Sequence, residues 1–420
     1  MINSREIAMK VLYEIEYEGA YSNMALKKAL RNGEISHRDK AFITHLVYGV
    51  TDKKITLDYI ISKFSKIKLK KISKYILIIL RMGVYQIKFM DKVPESAAVN
   101  ECVKLARRYG HGASAGFVNG MLRNVVRSDI EYPKDKIEYM SVKYSVPLWL
   151  CKKWITDFGY EFTNELLKSF EQSTRVCVRP NTLKITEQEL SDKLNDEGNK
   201  AEVKNNLVYI EGFDIGNDEL YKKGYYTVQD EAAYTAGKVL APKVGETVID
   251  MCAAPGGKTT HLAEIMCNKG EIFAFDIHEH KIAIIQKNAE RLGISIIKTE
   301  ISDGSVFNKK YAEKADKILC DVPCSGLGII RRKPEIKWNR NEDDDFHSLQ
   351  EQILLNASKY LKKGGELVYS TCTINKEENE EVTSGFLKEN SNFEKLYEKT
   401  FYPHIDNTDG FYICKIKRIR

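Results

Sequence analysis

The chain has 420 residues, 43% apolar and 30% charged, a length for two or three domains and the composition of a globular protein. No apolar run approaches the roughly 20 residues that cross a bilayer, and the opening MINSREIAMKVLYEIEYEG carries charges where an export signal needs an apolar core; the expectation is a cytoplasmic protein with no membrane partner. The net charge of +6 divides unevenly: residues 1–130 hold 23 Lys and Arg against 12 Asp and Glu, a net +11, which leaves −5 for the rest and points the first part at a polyanion.

Residues 5–127 read as a run of helices. Ile7, Val11, Leu12 and Ile15 recur at helical spacing, and similar stripes cover 39–50 and 55–64. ISKYILIILRMGVYQIKFM is apolar almost all round, the pattern of a central buried helix. Pro94 breaks the chain, the next helix starts beside it and stops at Gly110 and Gly112, and AGFVNGMLRNVV supplies one more. The first region, 1–127, is therefore predicted to be an all-α domain. From 128 to 225 the pattern mixes: VPLWLCKKWITDFGYEFTNELLKSFE is helical, RVCVRPNTLK a strand, ITEQELSDKLNDEG a helix and NLVYIEG a strand. This α+β connecting region is too small to bury a large core alone. From 226 to 420 the strands TVID, EIFAFD, KILCD and GELVYST alternate with helices, which predicts a parallel, doubly wound α/β sheet with its ligand at the strand C-termini.

Nine scattered cysteines, none in a CxxC pair, make a disulfide framework or a structural zinc site unexpected, and no metal is predicted. Cys102, Cys151, Cys177, Cys267 and Cys414 sit among apolar neighbours and read as buried small hydrophobes. Cys252, Cys320, Cys324 and Cys372 fall at the ends of predicted strands.

Three motifs carry chemistry. In TVIDMCAAPGGKTTHLAEIM a strand ends at Asp250, a small-residue turn follows, and a helix begins near Lys258. Ala253, Ala254, Gly256 and Gly257 let backbone approach a ligand, and the helix N-terminus favours a negative group. About twenty residues on, Asp276 closes a second strand, where a carboxylate accepts hydrogen bonds from both ribose hydroxyls of a nucleoside cofactor. The turn differs from a phosphate-binding P-loop by having Cys252 where the first glycine belongs, and that scheme gives Asp276 no role. In KILCDVPCSGLG, Asp321 closes a strand and the following loop presents Cys324. In GELVYSTCTINKEENEEV, Cys372 stands on the same edge. One thiol there would be read as structural; two at the ends of different parallel strands, both beside the cofactor loop, indicate nucleophilic chemistry.

DMCAAPGGKT, DVPCSG and STCT, in this order, resemble the RNA cytosine-C5 methyltransferases of the NOL1/NOP2/Sun family over roughly residues 175–420. RPNTLK, VQDEAA and NTDGFYICKIKR look like further family elements. The resemblance implies a Rossmann-like domain using S-adenosylmethionine, held by Cys252, Ala253, Ala254, Pro255, Gly256, Gly257, Lys258, Asp276, Asp303 and Asp321. It implies Cys372 as nucleophile and Cys324 as the residue that helps release product. Such an enzyme needs a thiol because pyrimidine C5 is too weak a nucleophile to attack a methyl sulfonium; a thiolate adding at C6 makes an enamine whose C5 attacks. Asp321 is placed to steady the charge at N3. Lys281 stands where an arginine is usual, and Thr373 follows Cys372 where serine is more common; neither change removes a catalytic group.

REIAMKVLYEI, DKAFITHLVYGV, LRMGVYQIKF and FVNGMLRNV are similar to NusB, an RNA-binding antitermination factor. A NusB-like domain ahead of this catalytic domain implies 16S, small-subunit, ribosomal RNA as the substrate and partner, and a monomer is expected. The alternatives are the same chemistry on transfer RNA, or a non-catalytic RNA-binding or ribosome assembly factor; retention of both cysteines, Asp321 and the cofactor loop argues against the latter. The six lysines of KFSKIKLKKISK (63–74), and Arg107, Arg108, Arg123 and Arg127, are candidate RNA contacts.

Overall fold

The computed structural model describes residues 3–31, 35–172, 175–211 and 215–420, and no helix among them is long and apolar enough to cross a membrane. The chain divides into two compact units, one of residues 1–171 with 330–342, the other of 172–329 with 343–420. The expected boundaries at 127/128 and 225/226 both fall inside these units.

The first unit is helical, as its apolar periodicity requires. Some of its helices begin at side-chain caps: Asn3 accepts from the backbone of Arg5 and Glu6 ahead of Ser4–Tyr17, and Ser36 from Asp39 ahead of His37–Asp52. The expected central helix is Lys74–Phe89, in which every residue from Ile76 to Gln86 is buried. Arg81 is among them, and its charge is met by Asp58, at 2.6 and 2.8 Å, and by Glu16. Helix Lys136–Tyr144, beyond the expected helical run, is not marked by the sequence pattern. Residues 330–342, distant in sequence, join this unit through Glu335, which accepts from Ser22, and Trp338, whose indole N–H donates to the Thr51 carbonyl at 2.7 Å.

The second unit holds two sheets. Strands β1 (Val176–Pro180), β2 (Ala201–Lys204), β3 (Leu207–Ile210) and β4 (Tyr226–Val228) form an antiparallel sheet in the order β2-β3-β1-β4. Helix Glu187–Asp196 packs against it from a capping box made by Thr186 and Glu189. Strands β5 (Thr247–Asp250), β6 (Glu271–Asp276), β7 (Ile297–Ile301), β8 (Ala315–Asp321), β9 (Leu361–Thr371), β10 (Phe393–Phe401) and β11 (Phe411–Arg418) form the larger sheet, ordered β10-β11-β9-β8-β5-β6-β7. The four expected strands β5, β6, β8 and β9 are parallel and β7 adds a fifth, but β11 runs antiparallel to β9 and to β10, so the sheet is mixed. A return through residues 402–410 suffices for antiparallel neighbours, whereas a parallel pair needs a long crossover. From β5 the chain moves outward through β6 and β7, then resumes on the other side with β8 and β9. This places the switch point, where open α/β sheets bind ligands, at the C-termini of β5 and β8.

One cysteine assignment needs correction. Cys267 is exposed, because it follows the helix Gly257–Ile265 in a left-handed turn (φ 52°). Cys320 is next to last in β8, at the strand end as expected, and is buried.

Candidate active site

The edge of the large sheet gathers the motifs. Asp250, Asp276 and Asp321 are the last residues of β5, β6 and β8, Asp303 follows β7, and Cys372 follows β9. The turn from β5 runs over residues 251–256, and its helix starts at Gly257. Gly256 sits at φ 99°, a conformation that favours glycine, and a Cβ there would lie 3.3 Å from the Ile285 backbone. The Ala253 N–H, bonded to the Phe275 carbonyl at 2.8 Å, ties the turn to β6.

A cavity of about 190 Å³ opens beside this turn, lined by Gln229, Asp230, Asp250, residues 252–255, Gly257, Lys258 and Asp321. The expected loop residues are thus brought together there, apart from Gly256, which packs beneath on Ile285. Asp276 and Asp303 are not among its lining residues. Asp276 accepts from the His278 backbone at 3.0 Å, with the Lys281 ammonium at 3.7 Å. The lysine found in place of arginine therefore faces the same carboxylate. Asp303 accepts from the N–H and hydroxyl of Ser305, at 2.9 and 2.7 Å.

Lys258 and Asp321 form an ion pair at 2.7 Å, and Ser370 donates to the other Asp321 oxygen at 2.8 Å. The Lys258 ammonium also lies 5.1 Å from the centre of the Phe411 ring. Burial opposes the lysine charge, but Asp321 first and a charge on Cys372 after it outweigh burial and raise its pKa. The two expected thiols meet: Cys324 Sγ and Cys372 Sγ are 3.2 Å apart. The hydrogen bond shared with Cys372, reinforced by burial, pushes the Cys324 thiol well above its ordinary range. Cys252 is also pushed up, by burial and then by Asp250, which suits a packing role.

Two residues of this site were not singled out from sequence. Asp250 is 1% exposed; one oxygen accepts from the Thr259 hydroxyl at 2.7 Å, and the other has no hydrogen-bond partner among the described residues. Burial raises its carboxyl to about 7. A buried, unsatisfied carboxylate oxygen in a cavity wall fits a ligand with a cationic end. The second is Arg179, in the RPNT stretch, 2% exposed. It makes a two-pronged bond to Glu264 at 2.9 and 2.8 Å, donates to the Gly257 carbonyl at 2.7 Å and meets Gln229. It thereby fastens β1 to the helix that follows the glycine turn. An arginine among the apolar residues of a predicted strand was the signal available for it in the sequence.

Residues 237–417 match the model of the 16S rRNA methyltransferase RsmB/F family, residues 2–127 the NusB family, and residues 146–209 the ferredoxin-like domain of RsmF/B-like methyltransferases. A Bacillus subtilis protein named probable ribosomal RNA small subunit methyltransferase B is 36% identical over 99% of this chain and 98% of its own. A Synechocystis protein of the same name is 33% identical over the whole of both. The chain belongs to the ribosomal RNA small subunit methyltransferase B family. Among solved structures, PH0851 is 28% identical, with a TM-score of 0.85 over 99% of both chains. A methyltransferase homolog from Pyrococcus horikoshii is 30% identical, with a TM-score of 0.60 over 68% of this chain and 99% of that one. The family match accounts for the NusB-like, α+β and Rossmann-like parts in the order observed.

Proposed function

We propose that this protein methylates C5 of a cytosine in 16S ribosomal RNA, through a covalent bond between Cys372 and C6 of the base. S-adenosylmethionine, when bound, supplies the methyl group. The observation that carries the reading is the pair of thiols 3.2 Å apart beside the Lys258–Asp321 pair and the cofactor turn. The residues present fit that cofactor. Asp276 stands at the edge to accept ribose hydroxyls, residues 252–258 offer close backbone approach, and the unsatisfied oxygen of Asp250 suits the ammonium of the methionine end.

The chain's own groups divide the work as follows. Either thiol can donate in the S–H···S contact; the raised Cys324 thiol suits the donor, with Cys372 then the thiolate that bonds to C6. The nearby ammonium of Lys258 favours that thiolate. Asp321 already binds Lys258, so as a carboxylate it is suited to hold a base whose N3 has taken a proton. After C5 has gained the methyl group, solvent takes its proton, the C–H electron pair restores the C5=C6 bond as the Sγ–C6 bond breaks with its electrons on Cys372, and N3 returns its added proton to solvent. Cys324 lies within reach to assist this release.

The test uses labelled RNA on a denaturing gel. Cys372→Ala is expected to form no covalent complex, and Cys324→Ala to trap one, because addition proceeds while release fails. The reverse pattern moves the nucleophile to Cys324. No complex in either variant, with methylation intact in both, refutes covalent catalysis. Mapping of 5-methylcytosine in the RNA of a deletion strain tests the substrate, and a mark lost from transfer RNA instead would redirect it.

A further inference from the structure

The segment after the second cysteine, INKEEN, takes no part in the chemistry above. Two of its side chains nevertheless converge on the two cysteine loops from inside the protein. Glu378 is 4% exposed and accepts four hydrogen bonds. One carboxylate oxygen takes the Ser325 backbone N–H at 2.8 Å and the Gln350 amide at 3.1 Å. The other takes the Ser325 hydroxyl at 2.5 Å and the Asn375 amide at 2.9 Å. Gln350 also donates to the Pro323 carbonyl at 2.9 Å, so the residues on both sides of Cys324 are tied, directly or through one amide, to a single carboxylate.

Asn379, fully buried, does the same for Cys372. Its side-chain oxygen accepts from the Thr371 hydroxyl at 2.6 Å, and its amide donates to the Thr373 carbonyl at 3.1 Å. The hydroxyls of Ser325 and Thr373 join the two loops at 2.9 Å, and the Gly328 N–H reaches the Cys372 carbonyl at 3.0 Å. Gly328 can come this close because it has no Cβ; one there would meet the Gly410 carbonyl oxygen at 2.0 Å. The segment is itself held by Tyr369, whose hydroxyl donates to the Glu378 carbonyl at 2.6 Å.

A cysteine side chain has one rotatable bond before its sulfur, so the distance between two thiols follows from the two backbones that carry them. Beyond Asp321 and Thr371 the strands have ended and ladder hydrogen bonds no longer fix those backbones. All four groups bonded to Glu378 are neutral donors, and a carboxylate this buried is costly unless such donors surround it. Apolar packing would hold a sheet edge at least as well. What the carboxylate adds is two oxygens at fixed positions that each accept twice.

We propose that Glu378 and Asn379 are positioning residues, Glu378 for the Cys324 loop and Asn379 for the Cys372 loop, which together keep the two thiols within reach of one another. The role in turnover rests on the two-thiol reading above. Misplacing a reacting group by about 1 Å costs on the order of 10²-fold in rate, so kcat should fall by about that much in Glu378→Gln and in Asn379→Ala, with S-adenosylmethionine affinity unchanged. Glu378→Gln keeps the shape but leaves one acceptor oxygen where there were two, and turns amide hydrogens toward two donors.

The experiment compares full-length wild type with Glu378→Gln, Asn379→Ala and the milder Ser325→Ala. Diamide oxidation followed by peptide mapping gives the rate of the Cys324–Cys372 disulfide, a measure of thiol placement that needs no RNA. Each variant is expected to cross-link at least about tenfold more slowly, the effect of a lost near-attack arrangement. On labelled RNA, Glu378→Gln should accumulate the covalent complex and Asn379→Ala should fail to form it. Wild-type cross-linking rates in folded Glu378→Gln and Asn379→Ala overturn the proposal, and should either not fold, the same rate in Ser325→Ala does so. Failure of the underlying chemistry would show separately, as methylation surviving Cys372→Ala, and leaves the cross-linking result to stand by itself.

Discussion

Arg179 is the residue whose removal the structure prices most directly. Its guanidinium and the Glu264 carboxylate are each almost wholly buried and share two hydrogen bonds. Arg179→Met leaves that carboxylate without its cation, and breaking a buried pair from one side costs about 3–5 kcal/mol. The Gly257 carbonyl loses its 2.7 Å bond to the arginine and keeps the Thr260 hydroxyl at 3.1 Å, for roughly 1 kcal/mol more. The expected loss of about 4–6 kcal/mol is a large part of the roughly 5–15 kcal/mol that holds a domain folded. Burial already raises the Glu264 carboxyl despite Arg179. Without the arginine it escapes part of the penalty by binding a proton, so the loss should shrink as the pH is lowered. Arg179→Met/Glu264→Leu removes both charges, and should recover about 3 kcal/mol relative to the sum of the single losses. Urea denaturation followed by circular dichroism is the suitable assay, because Trp149, Trp154 and Trp338 all lie in the other unit and tryptophan fluorescence would report on that one. A double variant whose loss equals the sum of the two single losses refutes the pairing as the source of the effect.

Three further predictions follow from the same edge and from the helical unit. Asp276→Ala should weaken S-adenosylmethionine binding by about 1–3 kcal/mol, the cost of lost hydrogen bonds to a charged group, with calorimetry as the check and unchanged affinity as the contrary result. Asp250, raised to about 7 when folded, keeps its proton between about pH 4 and 7 while the unfolded chain releases it, so stability falls as pH rises through that window and the loss is complete above it. The span of about three pH units corresponds to roughly 4 kcal/mol, and Asp250→Asn should flatten the wild-type decline in urea midpoint between pH 5 and 8; an equal decline in both refutes it. Lys63, Lys66, Lys68, Lys70, Lys71 and Lys74 are all exposed. If they neutralise phosphates, changing four of them to Gln should lower the salt dependence of RNA binding by about 0.7–0.9 per lost contact, and an unaltered slope excludes this stretch.

Much of the molecule was legible one residue type at a time. The stripes of the first 127 residues, the strand endings at Asp250, Asp276 and Asp321, and the two cysteines after β8 and β9 are local patterns, and the structure keeps them where periodicity and turn chemistry put them. Local pattern could not show that β10 and β11 run antiparallel, since direction depends on which neighbour a strand meets. It also could not show that residues 330–342 belong with the helical unit, because their partners Ser22, Thr51 and Asp52 lie about three hundred residues earlier.

The same distinction divides the site. From the sequence alone come the chemical groups: a small-residue turn before a helix, carboxylates at strand ends, and two thiols on one edge. Tertiary structure alone decides their states. Asp250 becomes a near-neutral carboxyl only because the sheet buries it, and Lys258 keeps its charge because Asp321, 63 residues away, is folded against it. The Cys324 thiol is raised above its ordinary range because Cys372, 48 residues on, is brought to 3.2 Å. Identity is written along the chain, whereas desolvation and Coulomb energy depend on what surrounds a group in space.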